Sequence, residues 1–207
     1  MKPALQTLLR RPPWIFLALA GAALAIQLAP GWREHLLYER QALAAGAWWR
    51  IWTGHLVHFG WPHFVADAGL FVILGWLLEA RHPVFSRLAL VVLPAFITGA
   101  LWWFDPTMTR YGGLSAVNLG LLIYLALQGW RRDWTDWFWP AVLAIYAGEV
   151  IFELAQGGRG GGLIRFDEPD IRVATSAHVA SAVYALLAWI AAGLRPIKKP
   201  EPAAPAS

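Results

Sequence analysis

Six apolar runs, each approaching or matching the thickness of a bilayer, leave this 207-residue chain few folds to choose from. They are Trp14–Ala29, Trp61–Leu78, Leu88–Phe104, Ser115–Trp130, Trp137–Ala155 and Thr175–Leu194. A helix rises about 1.5 Å per residue, so roughly 20 apolar residues cross a hydrocarbon core of about 30 Å. A soluble domain of this size cannot hide a chain that is 58% hydrophobic and 14% charged. The expectation is an all-α polytopic membrane protein with six transmembrane helices over residues 13–195. A cytoplasmic lead over 1–12 and a Pro/Ala-rich, disordered cytoplasmic tail over 196–207 flank it. The first run is the shortest and follows Lys2, Arg10 and Arg11, which also fits a signal peptide; no polar mature start follows it.

Charge placement sets the expected topology. The lead, the 2–3 and 4–5 loops and the tail hold ten of the seventeen Lys and Arg residues, which puts both termini in the cytoplasm. The formal charge of +4 follows from this clustering at run ends and does not call for nucleic acid. The chain has no cysteine, which excludes disulfides and thiol catalysis. Many of its fourteen tryptophans fall near run ends, as in an interfacial aromatic belt. Pro30–Gly60 mixes charges with Trp48, Trp49 and Trp52 and reads as a segment lying at the membrane surface. No internal repeat is visible.

Spans two, four and six then run inward from the outer face, and each has one notable polar residue near its outer end: His63, Ser115 and His178. They precede the first cytoplasmic arginine of their spans by 18, 16 and 17 residues, so they share one depth, roughly 24–27 Å above the inner plane. Alone, Ser115 after Gly112-Gly113-Leu114 is a helix N-cap, and a lone membrane histidine is a packing hydrogen bond. At one depth, they form a nucleophile–base pair: His178 takes the hydroxyl proton and Ser115 attacks a peptide carbonyl. The Ser115 N–H and His63 are candidate oxyanion donors.

These residues resemble the rhomboid intramembrane serine proteases over about Trp48 to Leu194. Gly112-Gly113-Leu114-Ser115 is similar to the family's nucleophile motif, and Ala177-His178 to the Ala-His carrying its base. Trp49-Arg50 resembles the Trp-Arg of the first outer loop. Thr53 to His63 resembles the His-x-x-x-x-His approach to the second span, here His58 and His63. Gly75 and Glu79 fall where the family has a Gly and a Glu at that span's inner end. The resemblance implies a rhomboid-like bundle with a catalytic Ser115–His178 dyad. It implies oxyanion and support roles for His63, Asp67, Gly113 and Leu114, and structural roles for Arg50, His58 and Glu79. The compact build and the Trp-Trp-Arg…Thr-Gly-His-Leu-Val-His wording look most like the rhombosortase branch. That implies a bacterial inner-membrane enzyme with its site near the periplasmic face. Its substrate would be a membrane-anchored protein with a Gly-rich motif, a transmembrane helix and basic residues. No cofactor is implied.

Four positions depart from the family pattern. Ala116 replaces a glycine after the serine, Asp67 an asparagine, and Ser181 and Ala185 two small glycines after the base. An ionised Asp67 would repel an oxyanion, so it must be protonated or turned away, or it weakens catalysis. The changes after His178 predict slightly wider packing of spans four and six. Two other functions compete: a proteolytically silent rhomboid-like protein that binds transmembrane helices, and a small transporter or channel subunit using Asp67, Glu149 and Glu153. The second lacks the paired inverted repeats many transporters show. Glu149 and Glu153 share one helical face, Gly157–Gly162 reads as a flexible cap, and no His/Cys/Asp/Glu set has zinc spacing.

Overall fold

The computed structural model describes residues 12–155 and 174–193, and side chains there except those of Glu149, Glu153 and Leu154. The expectations for the lead, for the 156–173 loop with its glycine run, for the tail and for the two glutamates lie outside the described residues and side chains. Six long helices stand among the described residues: α1 (Trp14–Leu28), α2 (Trp61–Arg81), α3 (Pro83–Phe104), α4 (Ser115–Arg132), α5 (Phe138–Ala155) and α6 (Thr175–Gly193). The helical core of each expected run holds. The ends shift where local chemistry differs from hydropathy. The second helix continues through Glu79 and Arg81, and α3 starts at Pro83, because proline suits a first helical turn that needs no N–H donor.

By length and composition, α2, α3 and α6 are apolar enough to cross a membrane. A fourth crossing results if α1 and Pro30–Leu36, bent by 101°, form one broken span. The membrane-facing surface is plain: Val65, Ile73, Leu88, Val91 and Leu187 point outward and exposed. Helix α4 is instead enclosed by protein, burying Ala116 through Leu121 without a break, then Tyr124, Leu125 and Ala126. Its most extensive partner is α6, which also packs on α3. At the crossing of the three helices, a Cβ on Gly120 would lie 2.8 Å from Leu93 and 3.4 Å from the Ser181 carbonyl, so close approach requires a glycine there. Ser181 and Ala185 are both fully buried, and the Ser181 hydroxyl turns back to donate to Ala177 O at 2.9 Å. Helix α1 packs on α2 through Phe16, whose ring stacks tilted on Phe71 at 4.7 Å and occupies the space a side chain at Gly75 would take.

The segment between α1 and α2, expected to lie at the membrane surface with its aromatics exposed, also packs into the protein. Short helical turns fold it inward, burying Leu37, Tyr38, Val57, Arg50, His55 and His58, while Trp32, Trp48, Trp49 and Trp52 remain exposed. Buried arginine is costly unless its donors are used. Arg50 donates to Leu37 O at 2.6 Å and Glu34 O at 2.8 Å, with Glu39 at 3.5 Å. Two strands not expected from the sequence, β1 (Tyr38–Glu39) and β2 (Arg110–Tyr111), pair antiparallel. Arg40 then reaches the end of α3, donating to Leu101 O at 3.2 Å and to Trp102 O, where helix carbonyls lack partners. Where α2 turns into α3, Glu79 accepts from Ser86 and, at 2.9 Å, from Arg87 of α3.

Candidate active site

The β1–β2 ribbon delivers the chain straight into Gly112-Gly113-Leu114, and α4 begins at Ser115. The cap position belongs to Leu114, whose carbonyl accepts from Asn118 N–H at 2.8 Å; no side chain caps this helix. That corrects the simple N-cap expectation for Ser115. Its hydroxyl is spent on another helix: Ser115 Oγ and His178 Nε2 stand 3.3 Å apart, across 63 residues of chain. Both residues are partly buried. His178 lies in the first turn of α6, where its N–H bonds to Ala174 O at 3.2 Å. A hydroxyl directed at an unprotonated imidazole nitrogen is the starting geometry for nucleophile activation.

Gly113 joins this pair to α2. It has φ of +123°, a conformation few other residues adopt without strain, and a Cβ there would lie 2.9 Å from the His63 ring. His63 and Asp67, one turn apart on α2, are 4% and 5% exposed, and His63 Nε2 is 3.1 Å from Asp67 Oδ2. The Phe59 N–H approaches His63 Nδ1 at 3.4 Å, which leaves the ring proton on Nε2, facing the carboxylate. His58 closes the cluster from the preceding turn, with Nδ1–H donating to Leu56 O at 3.1 Å and Nε2 3.4 Å from the same Asp67 oxygen. Both imidazoles meet that oxygen off the ideal hydrogen-bond line. A neutral His58 with its proton on Nδ1 and an ionised Asp67 would face each other lone pair to lone pair.

The other expected residues lie at different distances from this centre. Leu114 is buried beneath the turn, Arg50 ties the 30–60 segment together, and Glu79 sits far off at the C-terminal end of α2. Ala116 is fully buried directly after the serine. Sequence reasoning missed four residues. Asn118 donates to the Asp67 carbonyl at 2.9 Å and ties α4 to α2. Tyr111 donates to Gly113 O at 3.2 Å, with His55 Nδ1 at 3.4 Å from the same hydroxyl. Ser176 donates to Asp105 at 2.7 Å. Their only signal in the chain is nearness to the glycine turn or to His178, because all of these contacts but the one from Tyr111 to Gly113 close long loops.

A family model for the rhomboid domain matches residues 45–194, which is most of the chain. The chain belongs to the rhomboid family. Rhomboids are intramembrane serine proteases that act on transmembrane substrates within the bilayer, although some members are inactive. A comparison with curated proteins finds no match. The matched region begins inside the segment between α1 and α2 and takes in Ser115, His178, His63 and Asp67.

Proposed function

We propose that this rhomboid is an active endopeptidase that cuts membrane-anchored proteins with a Ser115–His178 dyad. The observation carrying this reading is the 3.3 Å separation of Ser115 Oγ and His178 Nε2. His178 Nε2 takes the hydroxyl proton as Oγ attacks the scissile carbonyl carbon. The oxyanion is held by the Ser115 and Leu114 N–H groups at the start of α4, with His63 beside Gly113. Collapse expels the amine, which takes the proton back from His178, and water then hydrolyses the acyl-enzyme by the same two steps. The six long helices form six crossings with both termini in the cytoplasm. Helix α4 crosses despite its modest hydropathy because protein, not lipid, surrounds it. The substrate is a helix ending in a Gly-rich C-terminal sorting tail with basic residues, as in the rhombosortase branch, cut near the periplasmic face of a bacterial inner membrane.

The test is cleavage of a Gly-Gly-tailed reporter by wild type, Ser115→Ala and His178→Ala, alongside fluorophosphonate labelling. Label and cleavage in wild type, both lost in Ser115→Ala, support the reading. Label without cleavage of this reporter, but with cleavage of a generic rhomboid substrate helix, removes the rhombosortase assignment and keeps the protease. One observation favours a second reading, a silent helix-binding rhomboid: the Asp67 carboxyl beside Gly113, where charge would oppose an oxyanion. Absence of label and of all cleavage, with substrate-helix capture retained, would establish it.

A further inference from the structure

The Gly113 carbonyl and the Leu114 N–H belong to one peptide group. That group is planar and trans, so its carbonyl and its N–H point to opposite sides. Gly113 has φ of +123° and no side chain, so local sterics hold this peptide weakly and it needs an outside clamp. Tyr111 supplies one: its hydroxyl donates to Gly113 O at 3.2 Å from the buried side of the turn.

Tyr111 is itself fixed from three directions. Its backbone pairs with Tyr38 in the ribbon, its ring meets Tyr38 edge-on at 6.5 Å, and it meets His55 edge-on at 5.2 Å. His55 is 2% exposed and reaches α3, with Nε2 at 3.2 Å from Pro94 O. A carbonyl only accepts, so Nε2 carries the His55 proton, and Nδ1, 3.4 Å from the Tyr111 oxygen, is a second acceptor that competes with the closer Gly113 O for the single hydroxyl proton. Thr98 cannot reverse this arrangement, because its hydroxyl donates to Ile51 O at 3.1 Å. Burial pushes the His55 pKa down to about 4, against the backbone acceptors Pro94 and Gly113, and keeps the ring neutral. Burial, then the Asp67 charge, pushes the Tyr111 pKa up, so its hydroxyl stays a donor.

We propose that Tyr111 is a positioning residue for the oxyanion site: by donating its one proton to the Gly113 carbonyl and holding it inward, it turns the Leu114 N–H outward to the scissile carbonyl oxygen, while the His55 ring packs edge-on against it. The inference rests on the protease reading above.

The test compares full-length wild type, Tyr111→Phe, His55→Leu, His55→Gln and the double variant Tyr111→Phe/His55→Leu, using whichever reporter wild type cleaves and a fluorophosphonate probe. Tyr111→Phe is expected to lower kcat about 10- to 100-fold with KM within about twofold, and to slow labelling in parallel. His55→Leu removes the competing acceptor and His55→Gln can offer a donor in its place, so neither should lower kcat through the hydroxyl, and the double variant should match Tyr111→Phe. An unchanged kcat per labelled Tyr111→Phe molecule overturns the inference. If Tyr111→Phe does not fold, an unchanged or raised kcat per labelled His55→Leu molecule supports it, and a lowered one overturns it. Wild type that takes no label and cleaves nothing overturns the protease reading and the inference with it.

Discussion

Ser176 Oγ donates to Asp105 Oδ2 at 2.7 Å, tying the first turn of α6 to the end of α3 two residues before His178. The other Asp105 oxygen accepts from Thr107 Oγ1 at 2.7 Å and Met108 N–H at 3.2 Å. Burial alone would raise the Asp105 pKa, but the bonds from Ser176, Thr107 and Met108 outweigh it and hold the carboxyl below its ordinary 3.8. A carboxylate with a depressed folded pKa stabilises the fold above its unfolded pKa and loses that contribution as pH falls through the folded value. Thermal unfolding from pH 7 to pH 2 should therefore show an acid-side loss of stability below about pH 4 that Asp105→Asn flattens. Ser176→Ala should cost about 1 kcal/mol and lower kcat several-fold with little change in KM. A pH profile identical in Asp105→Asn would rule out this role.

The cluster of His58, His63 and Asp67 separates two kinds of substitution. His58→Leu removes the partner of a buried carboxyl and should destabilise by about 3–5 kcal/mol, read by denaturant unfolding. The double variant His58→Leu/Asp67→Leu should recover at least half of that, because no uncompensated carboxyl remains. Additive losses would show that the two do not stabilise each other.

Asp67→Asn addresses catalysis rather than folding. A neutral amide removes charge facing the oxyanion site and introduces a donor beside Gly113, so kcat at neutral pH should rise about threefold to tenfold. A fall in kcat would mean that the carboxyl contributes to the reaction instead of opposing it.

Gly113→Ala meets two penalties at once. Its φ of +123° strains an alanine by about 1–3 kcal/mol, and the added Cβ falls 2.9 Å from His63. Expected are a lower unfolding temperature and cleavage reduced to near background. Normal cleavage would show that the turn relaxes without disturbing His63.

At the inner end, Ser86 is fully buried and donates to Glu79. Ser86→Ala should cost about 1–3 kcal/mol by leaving a buried acceptor short, while cleavage per folded molecule stays unchanged because the site lies at the far end of α2. A selective loss of kcat would connect the two ends of the helix.

Much of this protein was legible in its sequence, for identifiable reasons. Long apolar runs can satisfy their backbone in lipid only as helices, so the helical segments followed from hydropathy. Nearly equal counts of 18, 16 and 17 residues to the first arginine of each run's far end singled out His63, Ser115 and His178, because helical rise is constant. Run ends were less legible: Pro83 starts a helix through its fixed φ, which hydropathy does not register.

The sequence by itself determined a membrane protein of the rhomboid type and the residues proposed to carry its chemistry, because periodicity and motif spacing are local properties of the chain. Tertiary structure alone decided what touches what. Folding the 30–60 segment inward made a ribbon with the nucleophile turn, placed His55 on Tyr111, and set His58 against Asp67. Those contacts join positions up to 73 residues apart, such as Tyr38 and Tyr111. Burial then converted charges that looked like surface features into internal hydrogen-bond partners, Arg50 first among them. Hydropathy cannot anticipate such an exchange, because a buried polar group is stabilised by the geometry of its partners and not by its own transfer energy.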